Sequence, residues 1–307
     1  MKRLVKASII PLAVSGFIVL LWLLLKDTTI DVLHPTGDIA REQRDLLYFT
    51  LILSAFVVLP VFTLLGIFAY KYREGRGADY KPELSGSNLL EAIWWGIPIL
   101  IIIVLAIVTW RTSNSLDPYK KIESHNPTLH VQVVALQWKW LFIYPDYNIA
   151  TINELPLPVD HPVHFMLAAD APMSAFWIPS LGSQIYSMNG MSSELNLIAN
   201  KTGEFTGYNT NINGQGYAKM TFNTHVMTPE EFTARTKQIA QSSQSLSLAN
   251  YEELAKPSLM EVPQFYRLGD ADLYDKIIDK YMHAMPHGEE HAPHEESSST
   301  TYHGGHH

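Results

Sequence analysis

No cysteine occurs anywhere in the 307 residues of the chain. Disulfides, thiolate metal centres, thiol nucleophiles and lipid attached through a thioether are thereby excluded. Positive charge is also short, with 22 Lys and Arg against 30 Asp and Glu. The imbalance sharpens past residue 110, where 12 basic residues face 21 acidic ones. A region of that composition offers no basic face to phosphates, so nucleic acid is excluded as a partner. The same region has no long apolar run, although three precede it, a split that the mean hydropathy near zero conceals.

Those three runs set the organisation. Residues 89–110, LLEAIWWGIPILIIIVLAIVTW, carry a single charge, Glu91. As a helix this run reaches ~33 Å, enough to cross a hydrocarbon core of ~30 Å. It is apolar on every face, which the buried helix of a soluble protein rarely is. Residues 46–70 have no charge at all and form a second expected span, with Pro60 as a kink. Lys2, Arg3 and Lys6 precede an uncharged run over 7–25, which reads as a signal peptide or a first transmembrane helix. No A-x-A-like cleavage site precedes Lys26, which favours an uncleaved signal anchor. Residues 26–45, with Pro35 and Gly37, read as a polar outer-side connection.

Lys71, Arg73, Arg76 and Lys81 crowd the loop between the two later spans. Positive-inside reasoning places residues 1–6 and 71–88 in the cytoplasm, and 26–45 and 111–307 outside. Tyr70, Tyr72, Trp94, Trp95 and Trp110 fit the aromatic belts of a bilayer.

Beyond Pro118 the pattern shifts to short alternating runs. Leu129, Val131 and Val133 alternate with His130 and Gln132, and further strands are expected at 162–168, 194–199 and 217–224. Turn residues separate them, which predicts an antiparallel sandwich or barrel over 111–227. Thr228-Pro229-Glu230-Glu231 is a capping box with proline at the first helical position. It opens a C-terminal helical region, 228–285, with helices expected to about Gln241 and over 270–282. Seven histidines lie from His283 onward, and residues 286–307 read as a disordered His/Glu-rich tail.

Several motifs carry a resemblance to a known family. They are Ser87-Asn88-Leu89-Leu90-Glu91 with Trp94, Trp95 and Pro98, Gln137-Trp138-Lys139-Trp140 with Tyr144-Pro145, Phe176-Trp177-Ile178-Pro179-Ser180-Leu181-Gly182, and Ile198-Ala199-Asn200. Over roughly residues 33–285 the chain resembles subunit II of the haem-copper respiratory oxidases. The resemblance implies a transmembrane helical hairpin followed by a cupredoxin-like Greek-key β-barrel on the outer side.

Cytochrome c oxidases of that family hold a dinuclear copper centre in the barrel. Its ligands are a histidine shortly before the Pro-Ser-Leu-Gly stretch and a later C-x-E-x-C-x-x-x-H-x-x-M loop. Thiolates and imidazoles are what soft copper requires. Aligned on Met220, this chain has Asn209 and Asn213 at the cysteine positions, Asn211 at the glutamate, Tyr217 at the second histidine and Met173 at the first. Only the methionine survives, and asparagines also read as turn formers. No dinuclear copper centre is expected, and no cytochrome c partner. His161, His164 and His225 do not compose a substitute site, because a mononuclear copper wants a thiolate or converging imidazoles.

A subunit II that lacks these ligands is similar to that of the cytochrome bo-type ubiquinol oxidases, to which the segment 182–191, GSQIYSMNGM, also points. The resemblance implies a proton-pumping complex of a bacterial inner membrane that oxidises ubiquinol and reduces oxygen. Haems and copper reside in subunit I, and this chain binds no cofactor. Its partners are subunit I, the other subunits and membrane lipids. The family's glutamate at Glu91 lies near the cytoplasmic end of a proton pathway into subunit I, so Glu91 is the candidate for proton uptake; a carboxylate just inside an apolar helix is costly and commonly functional. Trp138 and Trp140, alternating along a strand with Lys139, are expected to pack against the barrel or subunit I. Two alternatives remain: a membrane-tethered binding or assembly module without redox work, and a cytochrome c oxidase subunit II, against which the missing thiolates count.

Overall fold

A computed structural model describes residues 30–73, 87–259 and 262–282. The expected first span or signal peptide (1–25), Arg76 and Lys81, and the His/Glu-rich tail lie outside the described residues. Two long helices come first, α1 (Asp38–Lys71, 34 residues) and α2 (Asn88–Ser115, 28 residues). At 1.5 Å per residue they reach ~51 and ~42 Å. Their most apolar windows bury nothing inside the protein. With water as the only solvent such surfaces would be untenable, so a bilayer or partner helices must cover them.

α1 begins eight residues before the uncharged run, so part of the expected connection 26–45 is helical. The reason lies in docking. The amides of Thr36 and Gly37 donate to Ser180 O at 2.8 and 3.2 Å, Ala40 N donates to Leu181 O at 3.1 Å, and Gln43 Nε2 donates to Ser183 Oγ at 3.2 Å. A Cβ on Gly37 would stand 2.5 Å from Ile198 O, so only glycine permits this approach. At the other helix, Pro118 O, just past α2, accepts from both the amide and the side chain of Asn196. The N-terminal end of α1 and the C-terminal end of α2 therefore share one side with the β-domain, and Lys71 lies at the far end.

The β-domain is a two-sheet, cupredoxin-like sandwich. Its strands are β1 (Leu129–Leu136), β2 (Lys139–Tyr144), β3 (Ile149–Ile152), β4 (Glu154–Pro158), β5 (Pro162–Ala169), β6 (Ser174–Ile178), β7 (Gly182–Ser187), β8 (Ser193–Ile198), β9 (Gly203–Asn209) and β10 (Thr221–Met227). Helix α3 (Pro229–Ala240), strand β11 (Ser245–Leu246), helix α4 (Leu248–Leu254), strand β12 (Gln264–Leu268) and helix α5 (Leu273–Met282) complete the chain. One sheet runs β11-β12-β3-β2-β1-β5-β8, the other β4-β10-β9-β6-β7.

Three features depart from the sequence reading. The sheets are mixed, because β1 pairs in parallel with β5, β4 with β10 and β11 with β12. Parallel neighbours require crossovers: for β1/β5 and β4/β10 the chain crosses between sheets, and for β11/β12 it passes through α4. The strand expected over 217–224 starts only at Thr221, since Tyr217–Lys219 is a 3-10 turn. The region 228–285 adds β11 and β12 to the larger sheet as well as helices.

Burial on both faces explains the sequence of β2. All six of its residues are buried. Trp140, Phe142 and Tyr144 point into the sandwich, while Leu141 and Ile143 point outward beneath Tyr251, Leu254, Leu273 and Ile277 of α4 and α5. A strand covered on both faces reads as a continuous apolar run. The capping box at α3 forms as expected: Glu231 N donates to Thr228 Oγ1 at 3.3 Å and Thr228 N to Glu231 Oε2 at 3.0 Å.

Candidate functional site

The residues at the copper-ligand positions come together at one end of the sandwich. Asn209 closes β9; its Oδ1 accepts from Ala175 N at 2.9 Å and Asn211 N at 3.1 Å, and its Nδ2 donates to Asn211 O at 2.9 Å. Asn211 Nδ2 donates to Met173 O at 2.7 Å. Asn213 Nδ2 donates to Ser174 Oγ at 2.9 Å and approaches the Met220 sulfur at 3.6 Å. Asn209, Asn213 and Met220 are buried, whereas the Met173 side chain is exposed. Tyr217 opens the 3-10 turn and is half-buried.

Chemically this is a clasp between the 170–174 and 209–220 loops. Each amide NH2 is a donor with no lone pair to give a metal. The thioether of Met220 already faces a donor. Of the three clasp asparagines' side-chain oxygens, Asn213 Oδ1 is buried without a hydrogen-bond partner among the described residues. One hard carbonyl oxygen beside one thioether does not suit a soft copper pair, so the residues do not fit that group.

The Gln137–Trp138 turn lies over the same loop. Trp138 is not in a strand, as its alternation with Lys139 suggested, but at φ 66° in the two-residue turn between β1 and β2. Its ring covers Gly214 and Gly216; a Cβ on Gly216 would stand 2.4 Å from the indole. Trp140, in β2, meets Phe176 and Phe222 edge-on at 5.3 and 5.8 Å.

The other candidates are dispersed. His161 lies against Val159 O at 2.8 Å, His164 against Asn196 Oδ1 at 3.0 Å, and His225 is 3.4 Å from Glu204 on the other sheet. Among the described residues no three His, Asp or Glu side chains are grouped to hold a metal. Glu91 sits in the first turn of α2, at the end away from the β-domain, with its amide bonded to Ser87 O at 3.0 Å. A carboxylate there is favoured by the amides of the helix N-terminus.

Two groups escaped the sequence reading. Asp170, at the end of β5, accepts from Tyr251 Oη at 2.7 Å, from Lys280 Nζ at 2.8 Å and from the Tyr281 hydroxyl. Burial raises the Tyr251 and Tyr281 hydroxyls, with Asp170 adding to it, Tyr281 to about 12. Lys139 is buried rather than outward-facing. No local signal marks either group, because both depend on where α4 and α5 dock.

Residues 240–285 match the family described as COX Aromatic Rich Motif. The chain is 42% identical over 260 residues to the cytochrome bo(3) ubiquinol oxidase subunit 2 of Pseudomonas putida, covering 84% of this chain and 83% of that one. It is 40% identical to the ubiquinol oxidase subunit 2 of Acetobacter aceti, covering 86% of each. The quinol oxidase subunit 2 of Bacillus cereus is 35% identical, covering 83% of this chain and 86% of that one. Among solved structures, the periplasmic domain of subunit II of a Bradyrhizobium japonicum cytochrome oxidase aligns with 39% of this chain and 96% of its own, at 22% identity and a TM-score of 0.36.

Proposed function

The chain belongs to the subunit 2 family of the ubiquinol oxidases, and from that premise we propose that it serves its complex as a copper-free scaffold and proton-uptake subunit. The complex is an oxidoreductase whose catalytic centre lies in subunit I. In this reading electrons pass from ubiquinol to the haems of subunit I without crossing the β-domain. The chain is multi-pass in the bacterial inner membrane, its β-domain periplasmic, with subunit I, the other subunits and lipid around α1 and α2.

The observation that carries this reading is the amide clasp. Asn209, Asn211 and Asn213 spend their polar groups on one another and on Met173, Ser174 and Met220. Two thiolates are what a dinuclear copper centre needs there, and the chain has none. These are lost ligand positions put to structural use.

The donor is tested by oxygen consumption of the purified complex. Turnover with a ubiquinol analogue and none above background with reduced cytochrome c is the expected result. Turnover on cytochrome c refutes the copper-free reading.

Glu91 is the proposed cytoplasmic proton acceptor. It stands at the end of α2 opposite the β-domain, beside the basic loop that positive-inside reasoning assigns to the cytoplasm. Glu91→Gln keeps size and hydrogen bonding but cannot carry a proton. Turnover is expected to fall ~10-fold, about 1.4 kcal/mol in the barrier, with haem content unchanged. Stopped-flow proton uptake at the wild-type rate would sink the assignment.

A further inference from the structure

Lys139 opens β2 with a side chain that is almost wholly buried, 1% exposed. Its ammonium donates to Lys256 O at 2.9 Å and Ser258 Oγ at 2.5 Å. These bonds use two of its three N–H groups. Among the described residues no carboxylate pairs with it; the nearby acid, Glu253, is exposed and already bonded to Lys256. An unmatched buried cation is costly, and burial lowers the Lys139 pKa.

That cation lines a cleft of about 540 Å³ between β2 and the segment that carries β11 and α4. Ser243, Gln244, Ser245, Asn250 and Tyr266 contribute neutral hydroxyls and amides to its wall, and Glu253, whose charge is held by Lys256, also lines it. The volume is that of a small-molecule site. The Ser258 hydroxyl, accepting from Lys139, keeps its own hydrogen for a further acceptor.

We propose that this cleft binds a singly charged carboxylate with a hydroxylated body, a hydroxy acid or sugar acid. The carboxylate meets the Lys139 ammonium and the Ser258 hydroxyl, and the lining amides and hydroxyls take the polar body. One cation matches one negative charge. A phosphate dianion would keep its second charge unmatched, close to Glu253. The inference is independent of which donor reduces the complex.

Equilibrium dialysis of radiolabelled gluconate against the purified complex tests it. The wild type should bind in a single saturable class. Lys139→Met and Ser243→Glu should each bind at least ~10-fold more weakly, the fold-change that loss of one charged contact of about 1.4 kcal/mol produces. Ser243 is exposed on the rim, so its glutamate variant keeps Lys139 and both of its bonds while supplying an internal carboxylate. Should Lys139→Met fail to assemble, Ser243→Glu decides the matter. Absence of saturable binding in the wild type, undiminished binding in Ser243→Glu, or equal displacement by inorganic phosphate each overturns the proposal.

Discussion

Phe222→Ala is expected to cost the β-domain about 3–5 kcal/mol, the usual loss for a large buried aromatic. Phe222 stacks on Phe176 with centroids 5.1 Å apart and planes at 7°. It also meets Phe142 at 5.1 Å and Trp140 at 5.8 Å, so one ring joins both sheets. Its cross-strand partner in β9 is Gly207, where a Cβ would stand 2.0 Å from the ring. Glycine weakens a strand by itself, and here the ring covers the space a side chain would fill. In a domain near 200 residues, the loss corresponds to a fall of about 6–20 °C in unfolding temperature.

Thermally induced proteolysis of this subunit in the intact complex reads that shift, and a fall below about 2 °C would show that the cluster does not hold the core. Gly207→Ala should also destabilise, through overpacking. Combined with Phe222→Ala it should cost less than the sum, because the clash partner is gone.

Asp170→Ala is the second large effect, expected at about 2–4 kcal/mol, from one buried hydroxyl left unmet and a lost ion pair. The Asp170 side chain is 2% exposed, whereas Lys280 is more than half exposed and swings to water when its partner goes. Tyr251 cannot, since it is buried on the inner face of α4 against the sheet. Helix α5 loses the anchors of Lys280 and Tyr281 and keeps Tyr274 with Ser192 at 2.9 Å. The expected result is loss of hydrogen-exchange protection over 273–282, with the sandwich strands unchanged. Full protection in Asp170→Ala would refute it.

The same cluster predicts an alkaline limit. Tyr281 holds its proton to about 12 in the fold, against about 10 unfolded. Between those values the unfolded chain has fewer protons bound than the folded one, so stability falls as pH rises. The tyrosine contribution is whole below pH ~10 and gone above ~12, and protection factors of α5 should fall through that window.

Much of the function was legible because it rests on local or compositional facts. A missing thiol is missing wherever the chain goes, so the absence of cysteine excluded a thiolate copper centre before any fold was known. The 89–110 run is long enough to span a bilayer by counting, and Thr228–Glu231 caps a helix within four residues. Other readings failed where the deciding neighbour is distant in sequence. Trp138 and Lys139 alternate as a strand would, yet register with β1 puts a turn at Trp138, and the docking of α4 buries Lys139. Tyr217 looks like strand, but the loop must fold back to bring Met220 beneath Asn213.

By itself, then, the sequence determined the two long apolar runs, the basic bias between them, the β-rich region that follows and the family, since each follows from residue type, run length or short spacing. Only the tertiary structure decided that three asparagines and two methionines share one clasp, that α4 and α5 cover the outer face of β2, and that Asp170 gathers hydroxyls from 81 and 111 residues away. Such convergence depends on sheet register and on helix docking, in which the energy of each contact exists only once distant segments have met.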